Sequence, residues 1–144
     1  MKILVLNGPN LNFLGIREPE IYGRETYDDL LKMIRRHAAE RGVEVVCRQS
    51  NHEGDLVDAL QQAYFDHIDG IVLNPGGYTH TSVALLDAVR AVGIPTVEVH
   101  ISDVNSREAF RRVSYVRDAA VLTVAGEGLS GYLKAMDFLI DGEK

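Results

Sequence analysis

At 144 residues the chain has the length of one domain, enough to bury a single core without disulfides or metals. Hydrophobic residues at 46% and charged residues at 25% exclude disordered, collagen-like and coiled-coil compositions. Fifteen Lys and Arg against 21 Asp and Glu leave a net charge of −6, which repels phosphate backbones and acidic lipid, so neither nucleic acid nor membrane is an expected partner.

The single cysteine, Cys47, excludes an internal disulfide, and its apolar neighbours read it as a small core residue. No apolar run approaches the roughly 18 residues of a membrane span, and the chain opens on a strand-like Lys2-Ile3-Leu4-Val5-Leu6 in place of a signal peptide. The expected location is the cytoplasm.

The first predicted strand runs from Lys2 to Asn7. The segment that follows, Gly8 to about Glu25, is far longer than the roughly 2 to 6 residues usual between strand and helix, so it is either disordered or functional, and its content favours function. Thr26, with Asp29 at the capping-box spacing, opens a helix whose apolar face is Tyr27, Leu30, Leu31, Ile34 and Ala38 and which Gly42 closes. A second strand is expected from Val43 to Gln49. Leu56, Leu60, Ala63 and Tyr64 mark the next helix, and Gly70 to Asn74 the third strand. Val83, Leu86, Ala88 and Val89 trace a helix that stops at Gly93 before Pro95, ahead of a strand from Thr96 to Ile101.

Asn105, with Glu108 at the capping-box spacing, predicts a short helix. A strand from Ala119 to Val124 follows, and then a helix along Leu129, Tyr132, Leu133, Met136 and Ile140. The strands read as apolar runs too continuous to have a wet face, which predicts a parallel sheet covered on both sides. Strict alternation of strand and helix predicts one α/β domain over residues 1–144, a doubly wound, flavodoxin-like sheet of order 2-1-3-4-5.

In such a sheet ligands bind at the carboxyl ends of the strands, near the switch between the first and third. The residues gathered there are Asn7-Gly8-Pro9-Asn10, Gln49-Ser50-Asn51-His52, Asn74 through His80, and Glu98-Val99-His100-Ile101-Ser102. Asn7 and Asn74 stand where a phospho-acceptor receiver needs acids, and neither a Walker loop nor G-x-G-x-x-G follows any strand. No nucleophile elbow and no convincing zinc spacing is present, so no metal site is expected.

What is left is a proton-transfer set suited to elimination or isomerisation: His100, with Tyr22 and Arg17 from the long loop, and amides to hold an anion or oxyanion. A phenol is a poor base near neutral pH, and a guanidinium favours its ionised form. Pro19 and Gly23 bend REPEIYG, which allows Arg17 to approach the Tyr22 oxygen in a closed loop; the other reading of the same spacing is a solvated loop with an exposed tyrosine. Glu98, two residues before His100 on one strand face, is placed to hold one imidazole nitrogen. The backbone N–H groups of Ile101 and Ser102 point toward an anion if the chain turns sharply after its strand. On residue type alone, His80 also reads as a solvated helix-start residue, Asn10 and Asn74 as turn formers, and Arg107 and Arg111 as surface charges. A non-catalytic flavodoxin-like module holding a small polyol carboxylate, or a scaffold subunit, is compatible with the same residues.

Five blocks, NGPNLN, GIREPEIYG, RQSNHEGDLVDALQQA, LNPGGYTHTSVALLDA and VEVHISDVNSREAFRRVS, resemble in order and spacing the type II 3-dehydroquinate dehydratases over nearly the whole chain. The resemblance implies a cofactor-free hydro-lyase that converts 3-dehydroquinate to 3-dehydroshikimate through an enolate, in the shikimate pathway of aromatic amino-acid biosynthesis or in quinate catabolism. It implies Tyr22 as base with Arg17 supporting it, His100 as acid with Glu98 orienting it, and Asn10 holding a water at the enolate oxygen. Asn74 with the Ile101 and Ser102 amides then matches the carboxylate site, His80 and Arg111 the grip on ring hydroxyls, and Arg107 a second arginine near the base. Asp87 matches a residue that reaches into a neighbouring subunit, in a family implied to assemble as a dodecamer of four trimers. Asp103 and Asn105 stand where the family often has Asn and His, and Gly77 where Ala is common. Asp103 either weakens the carboxylate site or caps the following helix.

Overall fold

The computed structural model describes residues 1–142. The expected domain runs to Lys144, so its last two positions lie outside the described residues. The chain forms β1 (Lys2–Asn7), α1 (Pro19–Tyr22), α2 (Tyr27–Arg41), β2 (Glu44–Gln49), α3 (Glu53–Phe65), β3 (Gly70–Asn74), α4 (Val83–Val92), β4 (Thr96–His100), β5 (Leu122–Ala125) and α5 (Ser130–Asp141). The five strands are parallel in the order β2-β1-β3-β4-β5, the predicted doubly wound arrangement. No helix of the described residues is long and apolar enough to cross a membrane.

The alternation of side chains along each strand divides the core in two. Ile3 and Val5 of β1 with Val72 of β3 pack under α2 and α5 against Leu30, Ile34, Tyr132 and Met136. Leu4 and Leu6 with Ile71 and Leu73 face the other way, against Leu56 and Leu60 of α3 and Leu85 and Val89 of α4. The expected caps form. Thr26 Oγ1 accepts from Asp29 N at 3.1 Å while Asp29 Oδ2 accepts from Thr26 N at 2.9 Å, and Gly42 closes α2 in the left-handed region.

Four expectations are corrected. β2 has a wet face, since Glu44, Val46 and Arg48 are exposed: at the sheet edge α3 packs inward over β1 and β3 and leaves that face uncovered. Tyr64 is 58% exposed because Leu56, Leu60 and Ala63 complete the buried stripe of α3 without it, and its ring meets Phe65 edge to face. The helix expected from Asn105 is two short 3₁₀ turns, Val104–Ser106 and Ala109–Arg112. Asp103 captures the Asn105 N–H at 3.1 Å and starts a turn earlier, Arg107 and Glu108 are extended, and the Glu108 carboxylate reaches forward to Arg111 at 2.6 Å. β5 begins at Leu122 because Val116–Asp118 forms a 3₁₀ turn whose Val116 carbonyl takes the Ala119 and Ala120 N–H groups.

The mouth of the sheet is built on close backbone approach. Gly8 N donates to Asn74 O at 2.8 Å, and a Cβ at Gly8 would stand 2.4 Å from Pro75 O. Gly54, in the first turn of α3, has nothing within 4 Å of such an atom. Gly8→Ala is therefore expected to destabilise the fold by about 1–3 kcal/mol or more, and Gly54→Ala to stabilise it by about 0.5–1 kcal/mol, both read from urea unfolding.

Candidate active site

At the carboxyl ends of β1, β3 and β4 lies a cavity of about 230 Å³. Asn10, Arg17, Tyr22, Asn74, His80, His100, Ile101, Ser102, Arg107 and Arg111 all line it. Glu98 sits beneath, fully buried, and Asp87 is exposed on α4 away from the cavity. Among the described residues three arginines and no carboxylate or lysine line the walls, so a chain of net charge −6 presents a locally cationic cavity that draws anions.

The long loop delivers the base candidate. Glu18, at φ 39°, and Pro19 start a single helical turn, and the Tyr22 N–H closes on Glu18 O at 3.1 Å, bringing Tyr22 back over Arg17. Arg17 does not reach the phenol oxygen as expected: its guanidinium carbon lies 4.6 Å from the ring centroid, over the face of the ring. The oxygen is taken by Arg107, whose Nη1 donates to it at 2.7 Å and also contacts Ser102 Oγ at 3.4 Å. Arg107 stands there because Asp103 caps the 3₁₀ turn that ends at it, and Ser106 Oγ donates to Asp103 O at 2.8 Å. Asp103 thus has the capping role, on a 3₁₀ turn.

Opposite, His100 Nε2 is hydrogen-bonded to Glu98 Oε2. Ser114 Oγ donates to the same oxygen at 2.7 Å and Thr123 Oγ1 to Oε1 at 3.3 Å. Burial opposes ionisation of Glu98, yet the His100 hydrogen bond and charge, the Ser114 hydroxyl and Arg117 together hold its carboxyl below the ordinary value. A carboxylate only accepts, so Nε2 carries a proton and Nδ1 is the nitrogen left for the cavity. Ser114 and Thr123 are not legible in the sequence, where they stand 16 and 25 residues from Glu98 with no spacing to connect them.

His80 is fixed by Val113 O at 2.6 Å from Nδ1. A carbonyl only accepts, so Nδ1 bears the proton and the neutral ring offers Nε2 as an acceptor. Burial pushes His80 below its ordinary value, the Val113 bond opposes this, and His100 and Arg111 lower it further. Arg111 is steadied by Glu108 and lies over Phe110, 5.1 Å from its centroid. The Ile101 and Ser102 carbonyls accept from Gly128 and Gly126, each at 3.1 Å, and a trans peptide therefore turns the Ser102 N–H away from that loop.

Asn10 takes a left-handed φ of 68°, the conformation Asn tolerates, and its N–H donates to Asn51 Oδ1 at 3.0 Å. Gln49 Nε2 ties the same Asn51 oxygen to Gly8 O, so the β2 end clamps the β1 loop. Asn74 Nδ2 donates to the buried phenol of Tyr132 at 2.9 Å, a contact invisible in the sequence because Tyr132 reads only as part of an apolar helix face. Cys47 is half-buried, and burial raises its thiol above the ordinary value. No group of three His, Cys, Asp or Glu placed to hold a metal occurs among the described residues.

Because folding lowers the Glu98 carboxyl, the stability it contributes is complete above the ordinary value of 4.5 and is lost as pH falls through the folded value. The difference in urea midpoint between the native chain and Glu98→Gln is expected to be widest at neutral pH and to narrow as pH falls below 4.5.

A family model described as dehydroquinase class II matches residues 1–140. The 3-dehydroquinate dehydratase 1 of Corynebacterium efficiens is 58% identical over 138 residues, covering 96% of this chain and 91% of that protein. The 3-dehydroquinate dehydratase of Corynebacterium glutamicum is 57% identical over 143 residues, covering 99% and 98%. The crystal structure of the type II dehydroquinase from Butyrivibrio crossotus superposes with a TM-score of 0.96 at 54% identity, over 96% of this chain and 97% of that one. With the family model spanning the sheet and every residue that lines the cavity, the chain belongs to the class II dehydroquinase family.

Proposed function

We propose that the chain dehydrates 3-dehydroquinate to 3-dehydroshikimate and water, with Tyr22 as base and His100 as acid. The observation that carries this reading is the pairing, in one cationic cavity, of a phenol flanked by two guanidiniums with an imidazole backed by a buried carboxylate. A phenolate between Arg17 and Arg107 has the positive surroundings an anionic base requires. It takes the C2 proton beside the ketone, leaving an enolate. The enolate oxygen is met by a water held at Asn10. The electrons then return to form the ring double bond as the C1 hydroxyl leaves with a proton from His100, so one C2 proton and one hydroxyl depart and no redox partner is needed. Glu98 stabilises the imidazolium before that transfer and fixes the ring that makes it.

The substrate carboxylate is assigned to Asn74 and the Ile101 and Ser102 amides, and the ring hydroxyls to His80 and Arg111. Neutral His80 with a free Nε2 suits a hydroxyl, which both donates and accepts. Asp87 is assigned to a neighbouring copy's site, where it steadies Arg111 across a trimer contact within a dodecamer of four trimers. Its exposure on α4, outside its own protomer's cavity, supports that reading. Action in the cytoplasm, in aromatic biosynthesis or quinate breakdown, belongs to the same proposal.

The test is formation of the conjugated enone product from 3-dehydroquinate. Tyr22→Phe keeps the ring between the arginines and removes only the proton acceptor, so kcat is expected to fall more than tenfold, about 1.4 kcal/mol or more in barrier, with KM little changed. Retention of more than a tenth of the native kcat would contradict the assignment. No lysine among the described residues lines the cavity, so none of them offers an amine for an imine to the substrate ketone. Borohydride added with substrate, and separately dialysis against a chelator, are expected to leave activity unchanged.

A further inference from the structure

Beneath the cavity the three side chains Asn74, Tyr132 and Asn7 form one directed chain of hydrogen bonds. Gly76 N donates to Asn74 Oδ1 at 3.1 Å, Asn74 Nδ2 to Tyr132 Oη at 2.9 Å, and Tyr132 Oη to Asn7 Oδ1 at 2.6 Å. Asn7 and Tyr132 are fully buried, Asn74 is 4% exposed, and only Asn74 lines the cavity. Asn7 and Asn74 are register partners on β1 and β3, so the phenol, entering from α5, bridges two adjacent strand ends.

The direction of this chain is forced. A backbone N–H only donates, so Gly76 requires Asn74 to turn its oxygen that way and its NH₂ toward Tyr132. The phenol must then accept, which sends its one proton to Asn7, whose oxygen in turn must face it. The amide of Asn7 is left pointing elsewhere, and its Nδ2 is a buried donor without a hydrogen-bond partner. The Tyr27 phenol lies close enough to feel that amide without completing a bond to it. A buried orphan donor is a cost that folds seldom carry. Here it is the far end of an arrangement whose near end is the second Nδ2 proton of Asn74, free for the cavity.

We infer that Tyr132, with Asn7 behind it, is a positioning residue that holds the Asn74 amide with its N–H toward the cavity, as a donor to the carboxylate of the bound substrate. Without the phenol oxygen the Asn74 NH₂ has no buried acceptor, and the Gly76 N–H at Oδ1 is left as the one bond that holds the amide toward the anion. The inference rests on the assignment of Asn74 to the substrate carboxylate, and the experiment separates the two.

Steady-state kinetics with 3-dehydroquinate and urea midpoints are measured for the native protein, Tyr132→Phe, Asn74→Ala and Leu139→Ala, the assays run well below the lowest unfolding midpoint. Leu139 lies on the same helix in the core, away from the cavity, and reports what loss of stability alone does. Tyr132→Phe is expected to raise KM about tenfold with a smaller change in kcat, the loss that one oriented hydrogen bond to an anion carries. Asn74→Ala is expected to raise KM at least as much, and Leu139→Ala to keep the native KM while lowering the midpoint. A raised KM in Asn74→Ala with a native KM in Tyr132→Phe overturns the positioning role alone. The same rise in Leu139→Ala as in Tyr132→Phe overturns it too, by showing that stability accounts for the effect. A native KM in Asn74→Ala overturns the carboxylate assignment and this inference with it.

Discussion

Asn7 stands opposite Asn74 across the β1–β3 ladder, and the Gly8 N–H extends that ladder one step past the strands by donating to Asn74 O at 2.8 Å. The doubly wound order makes these two strands neighbours although 67 positions separate the asparagines, and at this switch point the chain diverges to opposite faces of the sheet. Two of the three segments that line the cavity leave from this junction, and the third leaves from the strand beside it. The long loop that carries Arg17 and Tyr22 leaves from β1, the Gly76–His80 turn leaves from β3, and His100 ends the adjoining β4. A side chain at Gly8 would collide with Pro75 and part the two loops at their base. The same junction receives the Tyr132 phenol from α5, so the packing of the last helix and the orientation of a site amide are a single constraint.

Charge within the cavity runs against charge on the molecule. The chain is acidic overall, yet among the described residues the cavity walls hold Arg17, Arg107 and Arg111 and no carboxylate. Glu98 lies below the floor, where His100, Ser114 and Arg117 hold its carboxyl below the ordinary value in spite of burial. This placement lets a negative charge orient His100 without lining the space that an anionic ligand occupies. The carboxylates of Asp103 and Glu108 serve the arginines indirectly, one by capping the turn that aims Arg107 and one by bracing Arg111.

The two groups proposed to transfer protons are mounted on supports of unequal rigidity. His100 ends a fully buried strand and is tied to a buried acid. Tyr22 sits on a one-turn helix with no buried residue, held by its own backbone bond to Glu18 and by contacts to two arginines. Segments with so few buried contacts are the low-stability parts of a fold.

The apolar and capping patterns of the chain determined the five parallel strands, their order, the extents of α2 and α4 and the position of the mouth, because alternation, Thr26-to-Asp29 capping and terminal glycines act within a few residues of one another. Residue type and the five family-like blocks determined which side chains gather there, and ten of the residues singled out line one cavity. Tertiary structure decided what local pattern cannot carry. Asp103 outcompeted Asn105 as a cap because the chain had already turned after β4, and that turn, in place of a helix, put Arg107 on the Tyr22 oxygen and left Arg17 over its ring. Ser114, Thr123 and Tyr132 entered the site's supports from segments whose own sequence shows only a loop, an edge strand and an apolar helix face. A buried polar atom takes its partner from whatever the packed sheet brings within 3 Å or so, and that distance is set by the whole fold and by no spacing along the chain.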